Sequence, residues 1–164
     1  MTPDYPRTMA RYNAWMNTRL YDCCAGLTDE ARKENTGAFF KSIHGTLNHL
    51  LLGDRIWMGR FTGQPYAVTS LAQELHADFD ELRAARNAED ERISRWAESL
   101  TQEILDGDLT YMSIVNPEMR RYPMWVATTH FFNHQTHHRG QLTTLLSQRG
   151  IDPGVTDLIW LPKA

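Results

Sequence analysis

The sequence predicts an all-α protein, an up-down four-helix bundle with a short extended or hairpin excursion before its last helix. Three observations carry that expectation. Apolar residues recur at three- and four-residue steps in four long segments, and one late stretch switches to a two-residue offset. The length of 164 residues fits a single domain, residues 1–164, whereas two domains would leave each half near the minimum for a self-supporting core.

The first helix is expected from Tyr5 to Gly26, because Tyr12, Trp15, Met16, Leu20 and Cys23 or Cys24 share one face and Gly26 supplies a stop. A polar link, Thr28 to Thr36, leads to a second helix from about Phe39 to Phe61, closed by Gly63-Gln64-Pro65. Ser70 is expected to cap a long, charged third helix whose apolar face, Leu71, Leu75, Phe79, Leu82, Ile93 and Trp96, runs to about Leu100. Between Ile104 and Tyr122, the residues Leu109, Tyr111, Ser113 and Val115 alternate, while Gly107 and Asn116-Pro117 offer turn chemistry. The last helix is expected from about Pro123, a residue suited to a first turn, to Gln148 before Gly150. A tail follows, Ile151 to Ala164, whose apolar Leu158-Ile159-Trp160-Leu161 is expected to pack back on the body.

Composition excludes several function classes. With 41% hydrophobic and 23% charged residues the chain is neither disordered nor a rod. No apolar run reaches the roughly 20 residues of a membrane helix, so no membrane partner is expected. Seventeen Lys and Arg against twenty Asp and Glu give a net charge of −3, without the basic excess that nucleic-acid binding requires. Met1-Thr2-Pro3-Asp4-Tyr5 lacks a basic-then-apolar leader pattern. The two cysteines, Cys23 and Cys24, are adjacent, which suits neither a normal disulfide nor a CxxC metal knuckle. The expected setting is the cytoplasm.

Histidine is the residue to explain, since four of the seven fall between His130 and His138. On a helix His134 and His138 lie about 40° apart, stacked one turn from each other, on the same stripe as Ala127, Phe131 and Leu145. That spacing offers two nitrogen ligands to one metal ion, and a third should come from a facing helix. His44 and His49 lie about 140° apart, and His49 is the better candidate because Leu52 and Ile56 share its face. Gly45 and Gly53 flank it one turn to either side, at a helical cost of about 1 kcal/mol each relative to alanine, and serve either an open pocket or close helix contact. His44 and His76 read as hydrogen-bonded core residues, His130 as a pocket wall or a support for the ligands, and His137 as facing solvent or a neighbouring helix. Three neutral imidazoles suit Zn²⁺, Ni²⁺ or Fe²⁺ alike and leave positions open. The sequence lacks HExxH, an EF-hand loop and the Glu-x-x-His of diiron bundles.

The segment Ser42-Ile43-His44-Gly45-Thr46-Leu47-Asn48-His49-Leu50-Leu51, continuing through Asp54-Arg55-Ile56-Trp57, resembles the second-helix signature of the DinB family of small bacterial four-helix bundles. His130 to Gln141 looks like that family's other signature, the NHxxxHRGQ run. The opening Tyr12-Asn13-Ala14-Trp15 and the tail Ser147 to Leu158 also follow the family. The resemblance implies a divalent metal held by His49, His134 and His138, and assembly as a homodimer. It further implies kinship with transferases and isomerases that use a low-molecular-weight thiol. The lesion-bypass polymerase of similar name is unrelated.

The expected function is therefore metal-dependent chemistry on a small molecule, foremost the transfer of a thiol to a small electrophile. The alternatives are a metal-dependent hydrolase and a non-catalytic metal-binding stress protein. No catalytic residue is assigned. Arg139 could pair with an anionic substrate or with a surface acid, and Gln141 could fix a ligand's ring or a bound water. Trp57 and Phe131 read as core. Asp54 points about 140° away from His49, which leaves a hydrolase without an evident base.

Overall fold

The computed structural model describes residues 1–113 and 117–163. Four long helices form the bundle: α1 (Asp4–Ala25), α3 (Ile43–Phe61), α4 (Phe79–Ser99) and α6 (Met124–Ser147), joined by the short helices α2 (Asp29–Lys33) and α5 (Gln102–Asp106). Helix α1 packs against α4 and α6, and α3 packs against the same two. The apolar faces that define these helices in sequence meet in one core, where Met16, Leu20, Leu47, Leu51, Leu82, Ile93, Phe131, Phe132, Leu142 and Leu146 are buried. Each contributes on the order of 1.5–3 kcal/mol on leaving water.

The hairpin excursion is present as an antiparallel pair, β1 (Asp108–Met112) and β2 (Met119–Pro123), with Leu109 opposite Tyr122 and Tyr111 opposite Arg120. Val115 and Asn116, expected in the excursion and its turn, lie outside the described residues.

Three boundaries differ from the expectation, each for a local reason. The polar link contains α2, because Thr28 caps it by accepting from Ala31 N at 3.2 Å. Helix α3 starts at Ile43, not Phe39, since the Ser42 hydroxyl accepts from Gly45 N at 3.0 Å and the preceding turn, with Lys41 at φ 68°, cannot be helical. Helix α4 starts at Phe79 rather than Leu71, and its cap is Asp78, whose side chain accepts from Glu81 N at 2.9 Å. Residues 71–76 are held away from the helix by α3: Asn48 Oδ1 accepts from the amides of Leu75 at 2.8 Å and His76 at 3.0 Å. Ser70 instead closes a small turn onto Ala72 N.

A buried polar layer crosses the core. Asn13 and Asn17 on α1 donate to Asp90 on α4, each at 2.9 Å, while Arg86 reaches Asp90 at 2.8 Å and Asp54 on α3 at 2.6 Å. Gln135 on α6 donates to Asp54, and Arg139 one turn on donates to Asn13. All seven side chains are buried, so each charge depends on its partner rather than on water.

The tail returns to α1, but largely through its backbone. Arg11 donates to Pro162 O at 2.9 Å, Tyr12 to Thr156 O at 2.6 Å, and Arg19 to Val155 O at 2.8 Å and Pro153 O at 3.0 Å. Leu161 packs on the core edge, whereas Ile159 and Trp160 are 87% and 65% exposed, so the expected apolar docking is only partial. No helix is long and apolar enough to cross a membrane among the described residues.

Candidate metal centre

The two helices that pack face to face, α3 and α6, bring His49, His134 and His138 together. One ring nitrogen from each lies within 4.8 Å of the others. Ring centroids are 4.4 Å apart for His134 and His138, 4.6 Å for His49 and His138, and 5.4 Å for His49 and His134. Among the described residues this is the group of three or more His, Cys, Asp or Glu side chains placed to hold an ion.

The packing leaves room for it at Gly53. A Cβ at that position would lie 2.8 Å from His134 Cε1, so the glycine on α3 makes space for a ligand ring on α6. Of the two reasons weighed for the glycines, close contact holds at Gly53. Gly45 has a similar origin, since a Cβ there would collide with the backbone oxygen of Phe40.

The surroundings fix which ring nitrogen is free. Leu71 O can only accept, so at 3.1 Å from His49 Nδ1 it places the proton there and leaves Nε2 with its lone pair. Gln141 Oε1, 2.8 Å from His138 Nδ1, does the same for His138. Nε2 of His138 in turn lies 3.1 Å from Nε2 of His134. Burial pushes His49 down to about 4, with the Leu71 carbonyl opposing and His138 reinforcing the shift. His134 falls to about 3, first by burial and then by the neighbouring imidazoles, and His138 is lowered by burial. Three neutral imidazoles with one ring nitrogen each within 4.8 Å of the others fit a divalent ion once the His134 proton moves from Nε2 to Nδ1, and borderline metals such as Zn²⁺, Ni²⁺ and Fe²⁺ match this donor set.

The other sequence-selected residues fall around this group. Gln141 holds a ligand's ring, one of the two roles expected of it. His130 lies one turn before His134, its ring 6.1 Å from that of His134 and 4.8 Å from Trp57. Arg139 meets neither a substrate site nor a surface acid: it is buried, bonded to Asn13 and 5.2 Å over the Tyr12 ring. His137 faces solvent, and buried His44 bonds His76 O at 2.9 Å. Phe131 is core, whereas Trp57 is half-buried.

Two contributors escape a reading of the helices alone. Phe40 stacks on His49, with centroids 3.7 Å apart and planes at 16°, and meets His138 edge-on at 5.4 Å. It reaches that position from the turn before α3, where the Ala38 to Lys41 bridge reverses the chain. Leu71 contributes only a carbonyl, which no side-chain pattern announces. Beside His49 opens a basin of about 500 Å³ whose walls include Phe40, Lys33, Lys41, Asn35 and Gln73.

Comparison with known proteins identifies the family and the fold. A sequence model of the DinB family matches residues 1–164. Protein DinB of Bacillus subtilis (strain 168) is 30% identical over 161 residues, which cover 94% of this chain and 91% of that protein. The crystal structure of a DinB-like protein from Bacillus cereus ATCC 10987 superposes with a TM-score of 0.64 at 20% identity, covering 88% of this chain and 91% of that one. The second likeness shows the shared fold.

Proposed function

The chain belongs to the DinB family, and from that premise we propose that it is a metal-dependent transferase joining a low-molecular-weight thiol to a small electrophile. The observation that carries this reading is the donor set: three neutral imidazoles, two with their protons fixed outward by Leu71 O and Gln141, and no carboxylate among them. A divalent ion in such a site keeps its full positive charge and lowers the pKa of a thiol bound to it.

The chain's own residues hold and shelter the reacting groups. His49, His134 and His138 would hold the ion, with Nε2 of His49 and His138 already carrying lone pairs, and Phe40 covers the His49 ring against water. The basin beside His49 has space for a thiol of several carboxylates or hydroxyls, with Lys33 and Lys41 at its walls. In net terms the thiol sulfur forms a bond to the electrophilic carbon, the thiol proton passes to solvent, and the leaving group departs with its bonding pair. Hydrolysis is less favoured because Asp54, the acid nearest in sequence to His49, is fully engaged by Arg86 and Gln135 inside the bundle. Homodimeric assembly and a cytoplasmic setting form part of the proposal, to be tested by analytical ultracentrifugation and cell fractionation.

The deciding experiment incubates metal-loaded protein with bacillithiol, mycothiol, glutathione and cysteine, each against a panel of electrophiles, and reads conjugates by mass spectrometry. Conjugates above the uncatalysed rate with one thiol support transfer. Turnover of esters without any thiol would assign a hydrolase instead. Neither activity, together with a large loss of melting temperature on metal removal, would make the ion structural.

A further inference from the structure

A second cavity, of about 290 Å³, lies between α3, the hairpin and the start of α6, lined by Trp57, Tyr111, Tyr122, Val126, Ala127 and His130. It shares a wall with the ligand group. The His130 ring stands 4.8 Å from Trp57 on the cavity side and 6.1 Å from His134 on the other. The six lining residues include no acid, lysine or arginine, and they offer mainly ring faces and apolar side chains, which suit a neutral flat group.

The cleft is built by the hairpin. Tyr111 and Tyr122 are diagonal neighbours across the two strands, their rings 6.3 Å apart and nearly parallel at 29°. Tyr111 meets Trp57 edge-on at 5.7 Å. The Arg60 guanidinium sits over both, 4.5 Å from the Trp57 ring and 4.2 Å from that of Tyr111, and has no acidic partner among the described residues. It therefore acts as a cationic brace that keeps the strand wall and the helix wall in place. In the bundle proper, aromatic rings such as Phe131 and Phe132 are fully buried, whereas these half-covered rings border open space.

We propose that this cleft binds the flat, uncharged aromatic portion of the electrophilic substrate, so that the reacting carbon extends past His130 toward the three ligand histidines. The assignment of the ligand as the electrophile rests on the transferase reading; the binding of a neutral aromatic ring does not. The volume holds one six-membered ring with short substituents, just below the roughly 300–1,000 Å³ of sites for larger ligands. The basin beside His49 then remains for the thiol, and the two reactants approach the ligand group from different sides.

The test uses 4-nitrobenzyl alcohol, an unreactive analogue of 4-nitrobenzyl chloride, titrated into full-length metal-free and metal-loaded protein. Amide shifts recorded by ¹⁵N NMR should concentrate at Val126, Ala127 and His130 in both forms. Tyr122→Ala, which removes a wall, and Val126→Phe, which fills the space, should each weaken Kd by about tenfold or more with metal content unchanged. Either variant suffices if the other fails to fold. Shifts elsewhere, or a Kd indifferent to both substitutions, would overturn the cleft assignment. Conjugation of a thiol to 4-nitrobenzyl chloride with KM unaltered in the variants would overturn it while sparing the transferase reading. Ring binding without any conjugation would uphold the cleft and leave the transferase reading to fail alone.

Discussion

Gln135 Nε2 donates to Asp54 Oδ1 at 2.9 Å, tying α6 to α3 at residues that directly follow His134 and Gly53. The bond sets the register between the helix that supplies one ligand and the helix that supplies two. Asp54 also receives Arg86 at 2.6 Å, so the same carboxylate anchors α4.

Asp54→Ala should leave the buried Arg86 with Asp90 alone and destabilise the fold by about 3–5 kcal/mol, the usual cost of breaking a buried pair from one side. Urea denaturation at pH 7 measures it. A loss under about 1 kcal/mol would mean that the polar layer tolerates an unpaired charge.

His134→Ala should abolish stoichiometric metal binding, because two imidazoles are too few for a tight site. Metal content by plasma emission after dialysis checks this directly. An unchanged ratio of metal to protein would show that the three histidines are not the ligands.

Gly53→Ala should act on the same ring by displacement, since its Cβ would stand 2.8 Å from His134 Cε1. The expected result is metal affinity reduced by about tenfold or more with the helical circular dichroism retained. Competition against a chromophoric chelator reads the affinity.

Gln141→Leu removes the acceptor of the His138 Nδ1 proton while sparing the bundle core. Affinity for the ion should fall by about 10- to 100-fold, with the melting temperature of the metal-free chain little changed. Equal losses of both would place Gln141 in the fold rather than in support of the ligand.

Acid should destabilise the metal-free chain. His49 and His134 are held down to about 4 and about 3 when folded, against about 6.5 when unfolded. Between those limits the unfolded chain binds protons that the folded chain refuses, so their stabilising contribution is complete above about pH 6.5 and is lost as pH falls toward 4. Thermal melts from pH 7 to pH 4 should show a declining midpoint, and His134→Gln should flatten the slope. A slope unaffected by that substitution would assign the acid sensitivity to other groups.

The bundle and the three histidines were legible because both obey helical periodicity: His134 and His138 repeat at one turn among Phe131, Ala127 and Leu145, and His49 shares its stripe with Leu52 and Ile56. The start of α4 was not. Leu71 and Leu75 keep the helical spacing, yet their segment is captured by Asn48 on another helix, a long-range bond that local pattern does not encode. For the same reason the local pattern does not show that Asp54, Arg86, Asp90 and Arg139 meet inside the bundle. A signal did exist in Asn13 with Asn17 and Arg86 with Asp90, polar pairs one turn apart on otherwise apolar faces. Phe40 was legible as apolar but not as a cover for His49, since its placement follows from the Lys41 backbone.

Because α1 grips the tail by carbonyl oxygens of Pro153, Val155, Thr156 and Pro162, the attachment is almost blind to the letters written there. The exceptions are Gly154, held at φ 71° where a Cβ would collide with the Arg19 guanidinium, Asp152, whose Oδ1 accepts from Gly154 N at 2.8 Å, and Ile151 and Leu161, which pack on the core. The outward side chains of the tail, Ile159 and Trp160 foremost, can thus be re-spelled, exchanged for a label or a new recognition surface while the backbone grip on α1 stays as it is.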